Sequence, residues 1–331
     1  MLSGLRDLLA GLIGPFPATF LLGATVILGY LSLNVLFLVW LERKVSARIQ
    51  RRLGPMEVGP QGLLQTAADM VKLLGKQLLT PVAADRFVYL AAPVLVFVPT
   101  ICVASLIPLS GAEAFADVPY GLLVVSALTG FTVLAIFMAG WSSNNKYAVL
   151  GGMRSVAQVV AYEIPVLLSV LSVVLISQTM NLRHIVEGQQ NTVWYVVLQP
   201  VAAVLYVIGI TAETNRAPFD IPEAESELIG GFHTEYSGMR FAMFMFAEYT
   251  NMLVLGALGA TLFLGGWLGP WLPGPVWLLL KAYAIVFLMM WTRWTYPRLR
   301  FDQLMRLAWE FLIPVALLNL VVTAVAVFVL G

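Results

Sequence analysis

Cysteine and histidine are almost missing from this chain: 331 residues include one cysteine, Cys102, and two histidines, His184 and His233. A single thiol excludes an intrachain disulfide, and with only two imidazoles beside it no Cys/His set can hold zinc or an iron–sulfur centre. Charge is scarce too, at 11% of the residues against roughly a quarter in an ordinary soluble domain, which rules out a soluble globule. Nineteen basic and eighteen acidic side chains leave a net charge of +1. Without a strongly basic balance there is no basis for a nucleic-acid partner. Neither GxxxxGK[ST] nor a GxGxxG between strand and helix occurs, so nucleotide binding through a glycine cradle has no support.

What is abundant is apolar. Hydrophobic residues make up 60% of the chain, with 27 Gly and 18 Pro, a composition typical of helical membrane proteins, where both are tolerated inside spans. A hydrocarbon core of about 30 Å takes about 20 helical residues. Eight runs with at most one isolated charge approach or exceed that length: 18–41, 87–109, 120–141, 156–178, 193–211, 241–267, 274–292 and 307–330. The predicted fold class is an all-α polytopic membrane protein, one integral domain over 1–331 with eight transmembrane helices. The first run follows Arg6-Asp7 rather than a basic stretch and is too long for a cleaved leader, so it is predicted to be a permanent span.

Eight spans place both termini on one side, and the connections then fall into two sets. Segments 42–86, 142–155, 212–240 and 292–306 hold sixteen of the nineteen Lys and Arg residues. The other set holds Arg6 and Arg183, and Lys281 lies in a span. By the positive-inside rule the first set is cytoplasmic and both termini are periplasmic.

Segment 42–86 is too long to be an idle connection. Over 61–79, Leu63, Ala67, Met70, Val71, Leu74 and Leu78 follow helical spacing, with Gln65, Asp69, Lys72 and Lys76 on the other face. This predicts an amphipathic interfacial helix, either a headgroup anchor or one wall of a portal for a lipid-soluble substrate. The turn from Ser142 to Ala148 is rich in hydroxyls and amides that either cap a helix or bond a partner's backbone. Segment 212–240 carries Glu213, Asp220, Glu223, Glu225, Glu227 and Glu235 against Arg216 and Arg240, an unusual acidic loop for this face. Asp220-x-x-Glu223 around Pro222 predicts a helix start. Glu223 and Glu227 would then share a face, where like charges favour proton uptake. The bland alternative is a solvated acidic loop. Inside the spans, Glu163, Glu248 and Lys281 each carry an insertion cost of at least about 2.5 kcal/mol. They are either proton carriers or a structural Glu–Lys281 pair. Glu310 is expected at the interface.

Together these stretches resemble the quinone-site membrane subunit of proton-pumping NADH:quinone oxidoreductase, respiratory complex I. The resemblance rests on Glu42-Arg43-Lys44, Arg48-Ile49-Gln50, Gly54-Pro55, Val58-Gly59-Pro60, Leu63-Leu64-Gln65, and Ala68-Asp69 with Lys72. It continues through Gly140-Trp141-Ser142-Ser143-Asn144-Asn145-Lys146-Tyr147, Arg154, Ala157-Gln158 and Tyr162-Glu163. Its longest piece is Glu213-Thr214-Asn215-Arg216-Ala217-Pro218-Phe219-Asp220-Ile221-Pro222-Glu223-Ala224-Glu225-Ser226-Glu227, followed by Glu235-Tyr236, Glu248-Tyr249, Tyr296-Pro297-Arg298 and Asp302-Gln303.

The resemblance implies a translocase subunit without a redox centre of its own, the flavin and iron–sulfur clusters lying on partner subunits. It implies quinone as substrate, in a chamber whose membrane side includes Arg43, Arg52, Asp69, Arg216, Phe219, Arg293 and Arg298. Glu163, Glu213, Glu223, Glu225, Glu227 and Glu248 would form a proton relay. The implied partners are hydrophilic quinone-module subunits carrying the terminal iron–sulfur cluster, small and antiporter-like membrane subunits, and lipid. The implied location is an energy-coupling membrane such as the bacterial inner membrane. Met56-Glu57, Gln77 and Glu310 depart from the family's commoner Asn-Arg, acid and lysine. The competing readings are the equivalent subunit of a membrane-bound hydrogenase or of a ferredoxin- or deazaflavin-linked dehydrogenase, and a stand-alone proton or cation transporter. A passive anchor would leave the interior acids without a task.

Overall fold

The computed structural model describes residues 15–111, 116–190, 193–222 and 225–330. Every regular element among them is helical: α1 (Pro15–Ile49), α2 (Gln65–Gly75), α3 (Arg86–Leu106), α4 (Gly121–Ser142), α5 (Lys146–Ser177), α6 (Leu182–Gln190), α7 (Tyr195–Leu198), α8 (Pro200–Glu213), α9 (Glu225–Leu228), α10 (Gly238–Phe263), α11 (Gly274–Thr295), α12 (Phe301–Arg306) and α13 (Ile313–Leu330). A π-helical turn, Leu307–Leu312, joins the last two into one rod. Among the described residues, seven helices are long and apolar enough to cross a membrane: α1, α3, α4, α5, α10, α11 and the α12–α13 rod.

The span expected over 193–211 does not form as one helix. Its residues form the single turn α7, a break at Gln199 (φ −129°, ψ 57°) and the 14-residue α8. A helix of that length rises about 21 Å, short of the roughly 30 Å of a hydrocarbon core. Pro200 is the cause. It brings no N–H to the preceding turn, and its ring pushes Gln199 out of the helical region.

The most enclosed of the long helices is α10, which packs against α1, α3 and α11. Small residues allow close packing: a Cβ at Gly256 would lie 3.2 Å from the Ala282 carbonyl of α11, and one at Gly259 would lie 2.7 Å from the ring of Tyr206 on α8, whose hydroxyl donates to the Leu255 carbonyl at 2.9 Å. The far end of α10 is closed by Lys281. Its ammonium donates to the carbonyls of Leu264 (2.6 Å), Gly266 (2.9 Å) and Leu268 (2.6 Å) and lies 4.7 Å from the Trp194 ring centre. The alternative of a structural Glu–Lys281 pair therefore has no counterpart among the described residues. The lysine instead satisfies carbonyls that a helix end leaves open.

The amphipathic helix predicted over 61–79 is shorter, Gln65–Gly75. A 3-10 turn, Pro60–Gly62, precedes α2, and the chain becomes extended at Lys76, directly after Gly75. Gly62 takes φ +73°, and a Cβ there would collide with the Pro55 carbonyl. Thr66, Asp69, Met70 and Leu73 face α1 and α10, while Val71 and Leu74 are exposed.

Candidate functional site

Helices α1, α2 and α10 enclose a mainly apolar cavity of about 230 Å³, whose lining includes Val35, Val39, Met70 and Phe246. Polar groups sit on its wall. On the α2 side, Arg43 Nη1 lies 2.6 Å from Asp69, and Gln65 Nε2 donates to the same carboxylate at 3.1 Å. Partial burial works against charge on Asp69, but the bonds from Arg43 and Gln65, with the charges of Arg43 and Lys72, outweigh it and hold this carboxyl below the usual range. Being half exposed, the pair orients the cavity wall more than it stabilises the fold.

Tyr249 also lines the cavity, and the Arg216 guanidinium lies 4.7 Å from its ring centre. Arg216, 6% exposed, joins two helices: Nη1 is 3.0 Å from Glu42 on α1 and Nη2 is 2.8 Å from Glu248 on α10. Arg293, from α11, reaches the same Glu42 oxygen. Two guanidiniums and two carboxylates thus balance one another in a place where a lone charge would cost several kcal/mol. The turn after α8 aims Arg216 inward. Asn215 adopts φ 51°, a left-handed conformation that asparagine tolerates. The Arg216 N–H then donates back to the Thr211 carbonyl at 3.2 Å, closing the helix end. Gln158, buried on α5, fastens this turn by donating to the Ala212 carbonyl (2.8 Å) and the Phe219 carbonyl (2.7 Å).

A second cavity of about 50 Å³ is lined by both Glu213 and Glu248, together with Thr100, Asn215 and Asn251. Apolar side chains such as Val96, Ile136 and Phe244 share the wall with these polar ones, and the volume is several times the roughly 10–15 Å³ that one water needs. Glu163 on α5 lies close enough for its charge to act on Glu213.

The remaining predicted residues lie elsewhere. Glu227 is exposed and paired with Arg154 at 2.7 Å; that hydrogen bond, reinforced by the arginine's charge, holds its carboxyl below the ordinary range. The helix predicted to open at Asp220 appears only as α9, Glu225–Leu228. Glu223 and the side chain of Glu225 lie outside the described residues. Arg52 is exposed and donates to Gln50 at 2.6 Å. Phe219 packs on Tyr162 with ring centres 5.2 Å apart, and Arg298 donates to the Ile221 carbonyl at 3.4 Å. The structure does not bring these three to the Asp69 cavity. In the Ser142–Ala148 turn, Asn145 accepts from the Tyr147 N–H at 2.9 Å, capping α5, and donates to Glu235 at 2.6 Å.

Sequence reasoning gave no role to Glu42 or Tyr249. The available signal was slight: Glu42 is the acid that heads a basic stretch at the end of the first apolar run, and Tyr249 follows an intramembrane glutamate. Among the described residues, no group of three or more His, Cys, Asp or Glu side chains is placed to hold a metal ion.

A family model described as NADH dehydrogenase matches residues 22–324. The chain is 49% identical over 313 residues to the H subunit of the NADH-quinone oxidoreductase of Brevibacillus brevis, covering 93% of each chain. It is 50% identical over 306 residues to the H subunit from Geobacillus thermodenitrificans, covering 91% of this chain and 90% of the relative. It is 46% identical over 312 residues to that of Carboxydothermus hydrogenoformans, covering 93% and 89%. Matched at this identity over nearly its whole length, the chain belongs to the NADH dehydrogenase family together with these H subunits.

Proposed function

We propose that the chain is a membrane subunit of an NADH:quinone oxidoreductase, that it forms the membrane side of the quinone chamber, and that it couples quinone reduction to proton translocation. Family membership carries this reading, and the cavity between α1, α2 and α10 supports the place within it. Its apolar wall suits a lipid-soluble quinone, Arg43 and Asp69 offer charge and hydrogen bonds beside α2, and Tyr249 leads to Arg216. Arg52, Phe219 and Arg298 then belong to a rim completed by hydrophilic partners, which supply electrons from their terminal iron–sulfur cluster.

Taking quinone to quinol requires two electrons and two protons. Negative charge arising in the cavity draws on Arg216 and Arg293 and alters their balance with Glu42 and Glu248. Glu248 shares its cavity with Glu213, and Glu213 feels Glu163, so a displaced charge or proton has successive acceptors leading toward antiporter-like neighbours. Glu223, Glu225 and Glu227 join this relay from the loop. The broken α7–α8 pass counts as an eighth crossing. With it, the segments 42–86, 142–155, 212–240 and 292–306 are cytoplasmic and both termini periplasmic, in a bacterial inner membrane.

The test is Glu213→Gln in the intact complex. Quinone reduction and proton pumping are expected to fall together by about tenfold or more, while NADH oxidation by a hydrophilic artificial acceptor holds. Normal coupled turnover would remove Glu213 from the relay.

A further inference from the structure

On the other face of α8 from Glu213 lies a larger space, whose lining meets the residues of the proposed chamber only at Phe219. It is a groove of about 780 Å³ between α8, α11 and the start of the last rod, walled by Val204, Val207, Ile208, Leu288 and Leu299. The few polar side chains on its wall are Thr211, Thr292 and Tyr296. Its position follows from the broken pass: α8, which forms one wall, is a short helix that begins at Pro200, and Val204, on that wall, is 59% exposed. At membrane depth an apolar space of this size cannot stay empty or hold water cheaply; hydrocarbon fills it.

The end of the groove names the headgroup. Wall residues Tyr296, Pro297 and Leu299 lead directly to Arg300, which is exposed, and segment 292–306 holds four arginines against the single acid Asp302. Glu310, beyond it, is already paired with Arg306 at 3.7 Å. We propose that this groove binds an anionic phospholipid, with acyl chain between α8 and α11 and phosphate at Arg300. The lipid completes the thin wall left by the broken pass.

The test uses the intact complex in native membranes. A photoreactive phenylalanine analogue replaces Val204 on the groove wall, with Leu318, exposed on α13, as a bulk-lipid control. After illumination, adducts are identified by mass spectrometry. Phospholipid adducts are expected at 204, with anionic headgroups enriched about fivefold over position 318, the preference that one arginine gives at a membrane surface. Arg300→Gln is expected to bring that ratio down to the control value. An adduct to another protein subunit or to quinone at 204, or headgroup ratios equal at the two positions, would overturn the proposal.

Discussion

Arg216 ties a loop to two membrane helices through Glu42 and Glu248, and its burial makes this an all-or-none arrangement. Removing one partner of a buried pair leaves the other charge uncompensated, at a cost of about 3–5 kcal/mol. Glu42→Gln and Arg216→Gln are each expected to lower the thermal midpoint of the chain in the purified complex. The double variant is expected to fall short of the summed loss by the equivalent of about 1–3 kcal/mol, because each single change already breaks the shared bond. Strictly additive losses would show that the two charges do not act together. The acids of this region were unevenly legible. Glu163 and Glu248 stand out because a charge in an apolar run has few bland explanations. Glu42 hides among basic neighbours, and its pairing with Arg216 depends on packing between residues 174 positions apart.

At the scale of elements, hydrophobic runs located the long helices well, because a span must be apolar whatever it packs against. They located α2 as well, though not which of its residues meet the neighbouring helices. An apolar stripe points inward only when water is outside; beside hydrocarbon, Val71 and Leu74 lose nothing by facing out, and Asp69 gains Arg43 by facing in. The apolar run over 193–211 concealed a break whose one local sign is Pro200. The freed polar groups there find partners across helices: Gln199 donates to Thr323 at 2.8 Å, and Asn319 donates to Gln199 at 3.0 Å and to Ser172 at 3.2 Å. Interhelical bonds of this kind in membranes are worth about 0.6–1.7 kcal/mol each. Gln199→Leu is therefore expected to loosen α13 from α5 and α8, lowering the thermal midpoint by a few degrees and speeding proteolysis of a C-terminal tag. Equal midpoints and cleavage rates would show that the break holds without this node.

For the whole molecule, the count of crossings fixes the side on which each end emerges, and the count turns on α7 and α8. Among the described residues, seven helices are long enough to span unaided, and seven crossings place the termini on opposite sides. If α7 and α8 together make an eighth, both ends share a side. The basic residues favour eight: segments 42–86 and 292–306 hold twelve of the nineteen Lys and Arg residues, and the positive-inside rule puts both on the cytoplasmic face only when an even number of crossings separates them. From α3 through α11 that number is six with the α7–α8 pass and five without it. A cysteine at Phe328, 89% exposed, in a Cys102→Ser background is expected to react with a membrane-impermeant maleimide in intact spheroplasts, whereas a cysteine at Lys76 reacts only after the cells are broken. If position 328 stays protected until lysis, α7 and α8 do not cross, and the basic segments at the two ends of the chain cannot share the cytoplasmic face.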